Sequence, residues 1–476
     1  MKKSIKIIML ILTSTLAISY MTACKNSEET LSKPTDSIET NSSNSTLSID
    51  ESKSSSEPIS YQKDDISIDL SKLIANGECG KNNDNISWSL VDNNGTLLIS
   101  GSGEMEDCIS LNKLAWYSYK DKIKKVKIEY GVTSIGTGAF SDCKNLHSIS
   151  IPDSITEING LAFYNCTELV NINLPDGISK IQTSTFETCS KLKSINIPDS
   201  VTSIKESTFA NCLSLKNINI SDNVENIENG AFYNCKSLKE INVNLNNKDY
   251  LSENGMLFDI NKTSIICCPA GKTGNYTIPD SVKYIEDYSF YGCNLSNIEI
   301  PKTVSNIKSY AFAFCEKLKD IKISDNINSI GEFAFFKCGL LKNITIPSKN
   351  VKIYDDTFYG CDSLEEINIS PDNKYYTSSD GVLFNKNKTE LICCPMGKTG
   401  DYIIPNTAKI IKSPGFNCCK KLTSITIPNS VDQINDDAFG FLIDTQTIYI
   451  QDKSEPAEKW ENSWDFRSEA KVVWNA

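Results

Sequence analysis

Residues 139–158 read AFSDCKNLHSISIPDSITEI, and 23 residues further on residues 162–181 read AFYNCTELVNINLPDGISKI. The cysteine sets the ruler. Cys143, Cys166, Cys189, Cys212 and Cys235 stand 23 residues apart, and Cys293, Cys315, Cys338 and Cys361 follow at steps of 22, 23 and 23. A fixed period in the twenties is the signature of a solenoid, in which each repeat is one coil stacked on the next. It moves the functional question from a pocket to a long repetitive surface.

Within one period, Leu146-x-x-Ile149-x-Ile151 alternates like a strand with one buried face. Pro152-Asp153-Ser154 is a turn, because proline ends the strand and the two short polar side chains bond nearby backbone. Ile155-x-x-Ile158 makes a second apolar pass, and Gly160 to Phe163 leads into a helical turn closed near Cys166. A single coil buries too few side chains to offset its ordering entropy, so stability has to come from stacking. Phe140, Phe163, Phe186, Phe209, Phe232, Phe290, Phe312, Phe335, Phe358, Phe416 and Phe439 share one column and are expected to form a continuous ring ladder. The fold class expected is a β-rich α/β repeat solenoid: a right-handed coil with one parallel sheet down one side, of about 13 coils, capped at both ends.

A longer period overlies the short one. Tyr250 and Tyr376, Cys267 and Cys393, and Cys293 and Cys419 are each 126 residues apart. Two islands, about 244–278 and 370–404, interrupt the short period and read as long coils that contain a hairpin. The solenoid is placed at 131–450, with an N-terminal cap at 66–130 and a C-terminal cap at 451–476. The leader holds Gly77 to Gly80, Trp88, Gly95 to Gly103 and Trp116; the tail holds Trp460, Trp464 and Trp474. Together the repeat, islands, leader and tail resemble the BspA-like leucine-rich-repeat (LRR) family of bacterial surface proteins, over roughly residues 66–476. That resemblance implies a binding protein rather than an enzyme, and leaves the ligand open because solenoids host many partners.

The start of the chain points to export. Lys2, Lys3 and Lys6 precede a short apolar run from Ile7 to Ile18, and Met21-Thr22-Ala23-Cys24 looks like a bacterial lipobox with Met where Leu is usual. Residues 1–24 are therefore expected to be a lipoprotein signal peptide, with Cys24 as the lipid attachment site. Residues 25–65, rich in Ser, Thr, Asn, Glu and Lys, are expected to be a disordered tether. The expected location is the extracellular face of a bacterial cell membrane or the cell surface, with the membrane reached through the N-terminal lipid alone.

Composition removes several function classes. The formal charge is −12, Arg467 is the one arginine and His147 the one histidine. An acidic chain with one arginine does not suit a phosphate backbone, so no nucleic acid is expected. A single histidine excludes an ordinary His-dependent triad and a multi-His metal site. Asp153, Asp176 and Asp199 recur with the repeat and read as turn residues, since a calcium ladder needs several oxygens per coil. No cofactor and no metal are expected. Gly271-Lys272-Thr273 lacks the earlier glycine of a phosphate loop. The repeat cysteines are expected to be reduced and to point inward. Cys79 and Cys108 are left as an optional disulfide, and in Cys267-Cys268 and Cys393-Cys394 one side chain of each pair is expected to point in and the other out.

What remains is a surface. The residues flanking the first Ile of Leu-x-x-Ile-x-Ile point away from the core, because strand side chains alternate. They include Asn171, Asn173, Asn196, Asn217, Asn219, Asn242, Asn297, Asn343 and Asn368. These are the candidate ligand-binding residues. The face is rich in donors and acceptors and has no aromatic anchor, which suits weak, multivalent contact with a host or matrix protein or a polysaccharide. The reading is an adhesin-like, lipid-anchored, monomeric LRR binding protein. Its alternative is a structural envelope or matrix component without a specific ligand.

Overall fold

Away from the ends and the islands, each described coil satisfies its backbone by pairing with the coil before and the coil after. The computed structural model describes residues 70–92, 94–108, 114–348, 350–354 and 356–476. Cys24 and the segment 25–65 lie outside them. The fold is a solenoid of about 15 turns with stacked parallel strands. The count exceeds 13 because strands of both ends continue the stack.

The Leu-x-x-Ile-x-Ile segments form the expected parallel ladder. Asn171 pairs with Ser194, and Asn217–Ile220 runs beside Glu240–Val243 with Ile218 opposite Ile241. Isoleucine stacks on isoleucine inside while polar residues stack outside. The return pass adds a second parallel ladder that the alternation did not reveal. Lys180–Ile181, Ser203–Ile204 and Asn226–Ile227 are hydrogen-bonded in register. Only two residues per coil take part, too few to produce a period-2 signal.

The corner expected as a helical turn is instead a chain of tight turns. In the corner at Gly138, the amides of Gly138, Phe140 and Asp142 donate to the next coil, at Gly160, Ala162 and Tyr164. The intervening amides of Ala139, Ser141 and Cys143 donate back to Gly136, Gly138 and Phe140. This alternation needs left-handed backbone at two places per corner. Gly138, Leu161, Ser184 and Ser207 fill one column at φ between 54° and 66°, and Asp142, Asn165, Thr188 and Asn211 the other at φ between 59° and 64°. Side chains with a Cβ are held there against a cost of order 1 kcal/mol each, by neighbours that fix the same shape.

Inside the corner the rings stack. Phe140, Phe163, Phe186, Phe209 and Phe232 lie 5.4–5.7 Å apart with planes within 15°. Phe290, Phe312, Phe335 and Phe358 repeat this at 5.0–5.8 Å, and Phe416 and Phe439 at 5.0 Å. The ladder is therefore three stacks, not one continuous column. The break has a cause: Cys268 N bonds Ser289 O and Cys394 N bonds Gly415 O, the same bonds that a corner phenylalanine makes. In each island coil a cysteine stands where the ring would be. Trp116 continues the first stack at its start, 5.6 Å from Phe140, and Trp464 covers the last edge-on, 5.3 Å from Phe439.

The islands are hairpins. Tyr250–Glu253 pairs antiparallel with Met256–Asp259, which pairs with Ser264–Cys267; the latter then resumes the second ladder beside Tyr284–Ile285. Tyr376–Ser379, Val382–Asn385 and Glu390–Cys393 repeat the arrangement. Each hairpin seals the ladder it interrupts. The Tyr250 hydroxyl accepts from Ile227 N at 2.8 Å, and Tyr376 Oη bonds both N and O of Ile353. Buried Asn247 donates to Ser221 O and Val224 O and accepts from Tyr250 N; Asn373 accepts from Tyr376 N and donates to Ser348 O.

At the N-terminal end Leu73–Glu78, Asn85–Val91 and Thr96–Glu104 form an antiparallel sheet. Thr96–Glu104 is long enough to start both ladders, pairing first with Lys125–Ile128 and then with Val132–Ile135.

Candidate functional site

The outward positions of the first ladder are where alternation places them. Asn171, Asn173, Asn196, Asn217, Asn219, Asn242 and Asn343 are exposed, while Asn297 and Asn368 are half-buried. The isoleucines between them, such as Ile172, Ile218 and Ile241, are buried. Stacking brings like beside like: Asn242 Nδ2 donates to Asn219 Oδ1 at 3.1 Å and Asn297 Nδ2 to Asn275 Oδ1 at 2.6 Å. Asn368 Nδ2 donates to Glu366 Oε2 at 3.2 Å. Each such bond along the stack uses one donor and one acceptor and leaves the rest of both amides facing out.

The face is not one strip. Gly255, at the tip of the first island hairpin, accepts from Ile241 N at 3.0 Å and covers the edge of Glu240–Val243; Gly381 does the same for Ile367. Gly255 has φ 72°, and a side chain there would press on Glu240. The first segment therefore holds Asn171, Asn173, Asn196, Asn217, Asn219 and Asn242 together. Asn297, Asn343 and Asn368 lie on a second segment, and a third runs from Gly400–Ile403 to Lys471–Trp474.

The cysteines serve the interior. Cys143 through Cys361 of the repeats are reduced and buried. Each Sγ from Cys166 onward in the first block donates to the phenylalanine carbonyl of the coil before: Cys166 to Phe140, Cys189 to Phe163, Cys212 to Phe186 and Cys235 to Phe209, at 3.1–3.2 Å. A small apolar group with a weak donor is what this slot takes. Burial pushes the Cys143 and Cys235 thiols up to about 12 and Cys166 and Cys212 well above the ordinary range. Buried and protonated at neutral pH, such thiols are poor nucleophiles. Cys79 is also reduced. Cys267 and Cys268 are both buried, which corrects the in-and-out reading of that pair; in the second pair Cys394 is buried and Cys393 half-buried. In both pairs the second cysteine leaves the strand to become the inward corner residue, so strand alternation does not apply to it.

One surface feature escaped the sequence reading. In the middle block the outer side of the corner is aromatic. Tyr288, Tyr310 and Phe333 stack at 5.1 Å, and beside them run Tyr291, Phe314, Phe336 and Tyr359 at 5.0–5.9 Å. Tyr233 of the preceding block reaches Tyr288 at 5.2 Å. The first block has Leu161, Ser184 and Ser207 in the equivalent column. The signal was available as two further columns at the 22–23 residue step, outside the buried phenylalanine.

The comparisons with known proteins agree with this architecture. A leucine-rich repeat protein from Eubacterium ventriosum is similar at 24% identity and a TM-score of 0.51, over 84% of this chain and 96% of its own. A leucine rich cell surface protein from Faecalibacterium prausnitzii is similar at 25% identity and a TM-score of 0.53, over 73% and 94%. The pneumococcal vaccine antigen PcpA shares the fold at 20% identity and a TM-score of 0.50, over 84% and 99%. No curated protein sequence matches the chain. The model of the BspA type leucine rich repeat region matches in six copies over residues 110–246, 267–387 and 396–461, most of the solenoid, and the chain belongs to that family.

Proposed function

We propose that this protein is a cell-surface, lipid-anchored LRR binding protein of adhesin type, acting as a monomer and offering the polar face of its first ladder to a protein or glycan outside the cell. The observation that carries the reading is the first ladder segment, where six exposed asparagines lie on neighbouring coils. Family membership and the cell-surface neighbour support a repeat-based interaction role. Little charge and no aromatic anchor on this first segment favour many weak contacts over one tight one. The N-terminal pattern ending at Cys24 supports display from a lipid.

Two experiments test it. Mass spectrometry of the mature N-terminus should find a diacylglyceryl group on Cys24; a cut elsewhere, with Cys24→Ala equally cell-associated, refutes the anchor. The full chain should also bind immobilised matrix proteins or wall polysaccharides. Replacing Asn171, Asn173, Asn196, Asn217 and Asn219 together by Lys should abolish that binding.

A second reading is a structural envelope component without a ligand. The amide-to-amide bond from Asn242 to Asn219 favours it, since a surface that bonds along its own stack needs no partner for those groups. Wild-type protein that captures nothing on any matrix or wall surface would support it.

A further inference from the structure

The second ladder of the middle block carries a groove of about 680 Å³ that the binding face described above does not include. Its origin lies in one column of the repeat. Glu286, Lys308, Gly331 and Tyr354 follow one another at steps of 22, 23 and 23 residues, each just after its short strand. Gly331 has no side chain to fill its place, and a Cβ there would stand 2.6 Å from Ser309 N. The close approach of these two coils excludes a larger residue, and the column opens between Lys308 and Tyr354.

Chemistry of both kinds lines the opening. Tyr284 and Tyr354 stand at its two ends, 41% and 38% exposed, among the most exposed large hydrophobic side chains. Between them Asn306, Ser309 and Ser329 present amide and hydroxyl groups, with Asn306 Nδ2 donating to Ser329 Oγ at 2.7 Å. Glu286 is buried, bonded to Lys308 and to the Ser264 hydroxyl. Asp287 accepts from Ser309 N and from Asn229 Nδ2, and Glu332 is exposed on the rim. Three carboxylates stand against two ammoniums, Lys308 in the lining and Lys352 over the Tyr354 ring at one end.

We infer that this groove binds a short neutral or amine-bearing oligosaccharide. From Tyr284 to Tyr354 it crosses three coil intervals, roughly 14 Å at about 4.8 Å per strand, a length that suits two or three sugar rings. Tyr284 offers apolar ring surface to a sugar C–H face at one end; at the other, one face of the Tyr354 ring carries the Lys352 ammonium at 4.4 Å and the opposite face and the hydroxyl are left to the ligand. The carboxylates, amide and serines between them match the hydroxyls of a sugar, which need many acceptors and donors at close spacing. The excess of carboxylates disfavours an anionic chain. This site is independent of the asparagine face and adds to the function proposed for it.

The test is calorimetric titration of the full chain with three trimers: N-acetylglucosamine, glucosamine and galacturonate. The neutral and cationic trimers should bind and the anionic one should not. Tyr284→Ala combined with Tyr354→Ala should weaken binding at least tenfold, and both side chains are exposed enough for the fold to persist. Glu332→Lys, on the rim, should weaken the glucosamine trimer most. The five asparagine-to-lysine changes on the first ladder should leave trimer binding unchanged. Absence of binding by any trimer, preference for galacturonate, or affinity indifferent to the two tyrosines would overturn the inference.

Discussion

The first block of coils, from Phe140 to Phe232, and the middle block, from Phe290 to Phe358, have one interior and two exteriors. Inside, both stack a phenylalanine, a cysteine, a leucine and isoleucines in the same slots, with the same thiol-to-carbonyl bond: Cys338 to Phe312 at 3.2 Å matches Cys212 to Phe186 at 3.2 Å. Outside, Leu161, Ser184 and Ser207 give way to Tyr288, Tyr310 and Phe333. The stacking geometry fixes what lies within a coil. The outer positions, which nothing inside constrains, are where the blocks differ and where partners would be told apart.

The largest expected effect probes the shared interior. An unfolded thiol loses its proton near pH 9, whereas folded Cys143 and Cys235 hold theirs to about 12. Above pH 9 the unfolded chain therefore binds fewer protons than the folded one. Stability contributed by these thiols is intact below pH 9 and falls as pH rises toward 12, by about 1.4 kcal/mol per pH unit for each thiol. Urea midpoints at pH 8, 9.5 and 10.5 should drop steeply. Because both blocks carry the ladder, the transition should stay single; two steps would break the equivalence.

Next in size are the rings. Phe186→Ala and Phe335→Ala should each cost about 3–5 kcal/mol, since both rings are fully buried and stacked on both sides. Chemical denaturation of the two variants gives the comparison, and a much smaller cost in the middle block would show that its interior is held differently. Smaller effects separate the blocks. Tyr310→Ser removes two stacked contacts and should cost about 1–2 kcal/mol, while a serine already serves at Ser207 in the first block. Cys212→Ser keeps a donor near Phe186 O and should cost about 1 kcal/mol, measured in the same way.

The interior was legible in the sequence because a period of 22–23 residues repeats the buried residues in every coil outside the islands. The 126-residue repeat likewise exposed the islands. The second ladder was not legible, because pairs such as Lys180–Ile181 are too short to alternate. The broken ring ladder could have been read: Cys268 precedes Phe290 and Cys394 precedes Phe416 by 22 residues, one repeat step, which puts each cysteine in the ring slot. The candidate asparagines were found from alternation alone. Their division into segments was not, since it depends on where the tips at Gly255 and Gly381 fold back. The groove depends on Gly331 meeting the backbone of the preceding coil, a contact that appears only once the coils are stacked.

The central claim is that the two exteriors contact different partners. The most direct measurement sets two full-length variants side by side against the same immobilised matrix and wall surfaces and the same trimers. One carries the five lysines at Asn171, Asn173, Asn196, Asn217 and Asn219; the other carries Tyr284→Ala and Tyr354→Ala. The account predicts that the first loses the immobilised partner and keeps the sugar, and that the second does the reverse. Equal losses in both variants, or no loss in either, would contradict it.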